Sequence, residues 1–324
     1  MSMAGVQVVS VEQALGVVGV GLAQLRTHAG SVLADGRSYL VGSLAAGFGN
    51  RGSDIDIHLF RSTGGYAPPY LMFVGDVPVD LEHFPDQAVG DLLAQVTDLP
   101  VAATPFGPVA LTNPLSETDE RRLIRWLTAL PLDPESGPVL PPQASADGFA
   151  VLLRAVVDRL VTMVALAELA EEVAAEGAPY LWARAGRLVL EVTCTGRGSA
   201  VTGEKWLPAR LDACGVPVDT ARRMLSVTSG EEFAAATGSL GLPAIRGVEL
   251  TTVRPDPAAR EVSVGRQRFL LTRHERVYPE WVAAAGATAA VRDDIGAAPL
   301  LSGLRTGQIV LDVSTDALRD ALCR

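Results

Sequence analysis

The alternation of hydrophobic and polar positions divides the chain into stretches of different texture. Across residues 11–28, Val11, Leu15, Val18, Leu22 and Leu25 fall at helical spacing, which predicts a helix. Ser38–Val41 reads as a short buried strand, and a glycine-rich turn follows it. Ile55, Ile57 and Leu59 then alternate with Asp54, Asp56 and His58, a period of two that predicts a strand with one apolar and one polar face. Pro78–Phe84 repeats the pattern: Val79 and Leu81, with His83 in their line, face one way, and Asp80 and Glu82 face the other. Ser116, followed by Asp119 and Glu120, marks a helix start leading into Arg121–Leu130.

Pro, Gly and Ser crowd residues 132–148, the best linker candidate in the chain. Beyond it a long helical pattern covers about 149–175, a second helix Tyr180–Thr195, a third begins near Glu204, and a fourth lies around Asp219–Ala236. From Gly247 the texture turns strand-like, in Val248–Val253, Glu261–Val264, Arg268–Thr272 and Ile309–Val313, with Pro255-Asp256-Pro257 and Gly265 as turns. Pro279 suits a first helical turn, and Ser314 is placed to cap a terminal helix. The expected fold is therefore α/β plus α: a small mixed β-sheet in residues 1–131, a helical bundle in 149–240, and a small α+β appendage in 245–324.

Length agrees with several units, since 324 residues exceed the roughly 250–300 at which single cores stop growing. No apolar run approaches the ~18 residues of a membrane span, and the N-terminus lacks a basic region ahead of an apolar one, so a cytoplasmic protein is expected. The formal charge of −10 argues against a long nucleic-acid partner, which a basic face would meet, and favours small, even cationic, substrates. Cys194, Cys214 and Cys323 are scattered, without disulfide or zinc spacing. Lys205 is the only lysine in a chain that otherwise uses arginine, which singles it out.

Chemistry concentrates in Val41-Gly42-Ser43-Leu44-Ala45-Ala46-Gly47-Phe48-Gly49-Asn50-Arg51-Gly52-Ser53-Asp54-Ile55-Asp56-Ile57. Gly42 lets backbone approach a phosphate closely, while Ser43 and the amides of a helix start can hydrogen-bond it. Asp54 and Asp56, two apart on a strand, project the same way and can clasp a hard cation, for which magnesium with substrate phosphate oxygens is the expected case. A two-metal site needs a third acid. Asp80 on the neighbouring strand is the choice, with Glu82 on the same face as the fallback or as a base beside it. Alternating acids also decorate ordinary solvated strands, so the weight falls on the combination of the Gly-Ser turn, the spacing and the second acidic strand.

At these residues the chain resembles the polymerase-β-like nucleotidyltransferase superfamily, whose pattern is a Gly-Ser turn, about ten residues, Asp-x-Asp, and a later strand bearing an acid. Gly42-Ser43, Asp54-Ile55-Asp56 and Asp80 fit, as do Ala45, Gly47 and Ser53. Ala46 stands where many members carry arginine, so that contact falls to another side chain, for which Arg51 is the candidate. A second resemblance, to the helical domain of antibiotic (aminoglycoside and lincosamide) and minimal nucleotidyltransferases, rests on Gly203-Glu204-Lys205-Trp206-Leu207, after a helix carrying Tyr180, Trp182, Arg184 and Arg187. It implies that Lys205 faces the cleft, where a compact ammonium suits a β- or γ-phosphate.

The resemblances imply a nucleotidyltransferase core binding two Mg²⁺ ions through Asp54, Asp56 and Asp80, with a nucleoside triphosphate held by Gly42, Ser43, Arg51, Ser53 and Lys205. The implied reaction moves a nucleoside monophosphate onto a hydroxyl of a small-molecule acceptor and releases pyrophosphate. Alternatives are a protein or RNA acceptor, or a nucleotide-binding regulator without turnover; a winged helix in residues 280–324 would favour the last, yet no arginine-rich recognition helix is visible there. His58 and His83 are read as structural, since magnesium prefers oxygen, and His274 as part of a solvated stretch. Trp182, Tyr180 and Trp206 are read as packing aromatics, and Glu168, Glu171 and Glu172 as an exposed face.

Overall fold

The computed structural model describes residues 9–34, 36–62, 67–240, 242, 245–264, 267–272, 274, 277–278, 289–290 and 296–322. It is a mixed α/β structure that divides into two compact units: Met1–Val101, Phe106–Ala155 and Thr193–Val216 in one, Ala102–Pro105, Val156–Val192 and Pro217–Arg324 in the other.

The first unit opens with α1 (Val11–Val17), whose start is closed by a capping box between Ser10 and Gln13, and α2 (Leu22–Leu33). One helix was expected across 11–28; Gly19, at φ 76°, and Gly21 break it in two. There follow β1 (Arg37–Val41), the single turn α3 (Gly42–Ala45), β2 (Ile55–Arg61), β3 (Ala67–Val74), β4 (Val77–Pro85) and α4 (Gln87–Val96). After β5 (Val101–Thr104), of which all but Val101 falls in the second unit, come β6 (Gly107–Ala110), α5 (Glu117–Leu127), which Ser116 caps by accepting from the Asp119 amide, and β7 (Leu130–Pro131).

Strand order is β3-β4-β2-β1-β7, with β2 and β4 parallel and the other neighbours antiparallel. One face buries Leu40, Ile55, Ile57, Val79 and Leu81 against Leu15, Leu25, Ala29 and Leu33 of α1 and α2. The opposite face is not simply polar. Tyr39, Val41, Phe60 and Phe84 pack there with Leu92 of α4 and Leu123 and Trp126 of α5, so only the end carrying the acids is left without apolar cover. Each such side chain contributes about 1.5–3 kcal/mol when fully buried, which commits both faces and fixes the register of the acids.

Residues 132–148 are not a linker. Leu132, Val139 and Leu140 are buried, the Leu132 amide donates to Ser38 O (2.9 Å), and Arg26 donates to Leu132 O (2.7 Å). The long helix α6 (Pro142–Glu172) begins inside this stretch, followed by α7 (Ala178–Gly196), a 3-10 turn at Glu204–Trp206 and α8 (Leu207–Ala213). At the C-terminus of α7, a side chain on Gly196 would strike Phe106 O, and both residues belong to the first unit.

The second unit continues with α9 (Val218–Leu225), α10 (Gly230–Gly238), α11 (Gly247–Leu250), β8 (Thr251–Pro255), β9 (Arg260–Val264), β10 (Gln267–Leu271), β11 (Val277–Tyr278), β12 (Ala289–Ala290), α12 (Ala297–Thr306), β13 (Ile309–Val313) and α13 (Thr315–Leu322). These strands form two small sheets, β12-β8-β13 and β11-β10-β9. A strand was expected from Val248; instead a helical turn occupies Gly247–Leu250, because Gly247 lies flush against the backbone of Ala165 and the Val248 amide donates to Glu168 (2.9 Å). Glu168 also pairs with Arg246 (3.1 Å) and is half-buried, a tertiary contact rather than part of an exposed face. Glu171 and Glu172 are exposed as expected, Glu171 also accepting from Trp182 Nε1 (3.1 Å) and from the Gly230 amide. Trp182 is buried beside Phe233, whereas Tyr180 is exposed. The turn at Asp256 and the cap at Ser314 form as expected. Gly265, Pro279 and Cys323 lie outside the described residues. Neither Cys194 nor Cys214 is in a disulfide, and no described helix is long and apolar enough to cross a membrane.

Candidate metal site

The parallel pairing of β2 with β4 sets Asp56 opposite Asp80 and His58 opposite Glu82. Asp54 precedes β2 at the end of the Asn50–Ser53 turn, which is stapled by the Asn50 amide donating to Ser53 Oγ (3.0 Å) and the Gly52 amide donating to Asn50 Oδ1 (2.9 Å). Carboxylate oxygens of Asp54, Asp56 and Asp80 consequently come within 4.8 Å of one another. Three carboxylates converging at this range form an oxygen-only donor set, which can hold a hard divalent cation and offers no sulfur or imidazole to a softer one.

The turn after β1 is shaped around Asp56. Gly42 has φ 74°, a conformation L side chains rarely adopt, and a side chain there would collide with the Asp56 carboxylate. Backbone rather than side chain therefore meets the site at Gly42. Burial, reinforced by Asp54, Asp80 and Glu82, pushes the Asp56 carboxyl up to about 6 against the opposing pull of Arg125. A group of acids that resists full ionisation by itself gains from a bound cation.

Glu82 belongs to a different circuit. Trp126 Nε1 donates to His58 Nδ1 (2.9 Å), which assigns the remaining ring proton to Nε2, and His58 Nε2 donates to Glu82 Oε2 (3.1 Å). Burial holds the His58 imidazolium below its ordinary range, and the hydrogen bond from His58 holds the Glu82 carboxyl below its own, so a neutral imidazole faces a carboxylate. Arg125 Nη1 donates to Glu82 Oε2 (3.2 Å), while its Nη2 lies 3.9 Å from Asp56 Oδ1. Glu82 thus holds Arg125 and is not among the converging acids.

Of the other residues singled out from sequence, Ser43 is partly buried in the first turn after Gly42, Ser53 closes the Asn50–Ser53 turn through its hydroxyl, and Arg51 is exposed at the tip of that turn. Lys205 is exposed, with Nζ 4.5 Å from the centre of the Trp206 ring, and that ring lies 6.5 Å from the ring of Phe48. Trp206 thus neighbours Phe48 in the segment joining α3 to β2, and Lys205 lies over the Trp206 ring in solvent. His83 is partly buried on β4 and contributes nothing to the acid cluster.

Two features went unread in the sequence. Arg125 sits in a helix with Arg121 and Arg122, and only the register of α5 against the sheet distinguishes the one that reaches the acids. Leu71 lies opposite Asp80 in the antiparallel register and Phe73 opposite Pro78; both are exposed, at 56% and 58%, and share the acid-bearing face. A scan against protein-family models gives no match, and neither does a search of curated proteins.

Proposed function

We propose that this chain is a metal-dependent nucleotidyltransferase that moves a nucleoside monophosphate from a triphosphate to a hydroxyl and releases pyrophosphate. The observation that carries the reading is the convergence of Asp54, Asp56 and Asp80 beside a glycine turn that has no room for a side chain. The local resemblance of Gly42-Ser43 and Asp54-Ile55-Asp56 to polymerase-β-like nucleotidyltransferases points the same way.

Three hard oxygen donors suit magnesium. Two such ions, when bound, would neutralise phosphate charge and stabilise both the attacking and the leaving oxygen. Asp54 and Asp56 would hold them, with Asp80 completing the set and accepting the proton of the incoming hydroxyl. The backbone at Gly42 and Ser43 would approach the phosphates, and Arg51, Ser53 and Lys205 would orient the triphosphate. Leu71 and Phe73 give the Asp80 side an uncharged flank, which favours the organic body of a small-molecule acceptor over the phosphate-rich backbone of RNA.

The test is incubation with each α-labelled nucleoside triphosphate and Mg²⁺, with and without cell extract, separating labelled small molecules from protein and RNA. Label in a small molecule, lost with Asp54→Asn, supports the assignment. Label in protein or RNA changes the acceptor class, and no labelled product with any triphosphate contradicts the reaction.

A further inference from the structure

Arg125 is held more firmly than a surface arginine and is less satisfied than a purely structural one. Its neighbour Trp126 is 2% exposed and anchored to His58, His58 is bonded to Glu82, and Glu82 holds Nη1 at 3.2 Å, so the guanidinium is fixed from α5 and β4 together. Nη2 meets no acceptor at hydrogen-bond distance among the described residues, because its approach to Asp56 Oδ1 stops at 3.9 Å. The side chain is 37% exposed, so it borders the acid cluster without being sealed away. A planar fork with one edge tethered and the other facing a cation site is preorganised for a tetrahedral oxyanion.

We propose that Arg125 forms a phosphoryl-oxygen site beside the carboxylate cluster, binding a pyrophosphate-bearing ligand through Nη2. The inference rests on the metal reading above. Divalent charge on Asp54, Asp56 and Asp80 removes the attraction between Asp56 and Arg125, and the freed donors turn to an anion held by the same cations. Without the metal, Arg125 serves as counter-charge to Asp56 and Glu82; with it, Arg125 extends the site beyond the carboxylates.

Substitution therefore has effects of opposite sign. In the full-length protein, Arg125→Gln removes a positive charge near the acids and tightens Mn²⁺ binding, yet weakens inorganic pyrophosphate binding in saturating Mn²⁺ by about tenfold or more, the loss of one charge-assisted hydrogen bond. Arg125→Lys keeps the charge without the fork, leaving Mn²⁺ affinity near wild type and recovering part of the pyrophosphate affinity. Calorimetric titrations of both variants, alongside their thermal unfolding, make the comparison. Mn²⁺ and pyrophosphate affinities falling together would reduce Arg125 to a structural tie, and an unchanged pyrophosphate affinity in Arg125→Gln overturns the proposal while leaving the metal site standing. Failure of wild type to bind Mn²⁺ removes the metal reading itself, and this inference with it.

Discussion

Gly42→Ala separates backbone strain from damage to the acid cluster, because a second glycine provides the comparison. Gly42 and Gly75 both have positive φ, 74° and 63°, and both lie in turns of the same sheet. An L residue in that region costs roughly 1–2 kcal/mol. At Gly75 a new Cβ meets nothing within 4 Å, so Gly75→Ala should lose only that amount. At Gly42 the Cβ collides with the Asp56 carboxylate and comes close to Asp56 Cβ, which β2, paired on both sides, holds in place; relief requires the carboxylate to rotate out of its position in the acid cluster. Gly42→Ala should therefore be the less stable of the two, with a further ~1–3 kcal/mol for overpacking, and should bind Mn²⁺ at least about tenfold more weakly, a loss of ~1.4 kcal/mol. Gly75→Ala should bind Mn²⁺ like wild type. Urea unfolding and Mn²⁺ titration of the two variants decide it. Equal losses of stability with unchanged Mn²⁺ affinity in Gly42→Ala would refute the claim that Gly42 is shaped around Asp56.

Further expectations follow from the same site. Asp56 binds its proton more firmly in the folded chain, at about 6, than an unfolded aspartate at roughly 3.9. Its ionisation therefore costs stability above pH 6, and that cost is relieved as pH falls through 6 towards 4; apo Asp56→Asn should melt higher than wild type at pH 7, with the gap closing by pH 4. Cations compete with that proton, so Mn²⁺ affinity should drop as pH falls through 6, and a flat profile from pH 7 to 5 would count against the Asp56 ligand. Trp126→Phe leaves His58 Nδ1 buried without its donor and should cost about 1–3 kcal/mol in urea unfolding; no loss would mean that the tautomer assignment is wrong. Lys205→Ala should weaken triphosphate binding about tenfold to a hundredfold and monophosphate binding little, as read by calorimetry with Mg²⁺; equal triphosphate affinities would make Lys205 a surface residue.

Parts of this site were legible because they depend on short-range rules. Period-two alternation at Asp54–Leu59 and Pro78–Phe84 fixes which residues share a face, and each strand forms where the alternation places it. That Asp56 and Asp80 are direct neighbours depends on β2 and β4 being adjacent and parallel, which no local pattern encodes, since β3 comes between them in sequence. The edge strand β3, with consecutive prolines at Pro68-Pro69, carries no clear alternation, and Leu71 and Phe73 went unread with it. Residues 132–148 misled for a related reason. Proline and glycine break regular structure but do not keep Leu132, Val139 and Leu140 out of a core. The reach of Arg125 to Asp56 and Glu82 was beyond sequence because Arg121, Arg122 and Arg125 are chemically equivalent until α5 is laid against the sheet.

The most direct test of the central claim is a Mn²⁺ titration at pH 7.5, read by electron paramagnetic resonance of the free ion, across wild type, Asp54→Asn, Asp56→Asn, Asp80→Asn and Glu82→Gln. The converging carboxylates predict saturable binding by wild type, at least a tenfold loss in each of the three asparagine variants, and retention in Glu82→Gln, whose carboxylate is spent on His58 and Arg125. Equal Mn²⁺ affinity in wild type and the asparagine variants, or loss confined to Glu82→Gln, would contradict it.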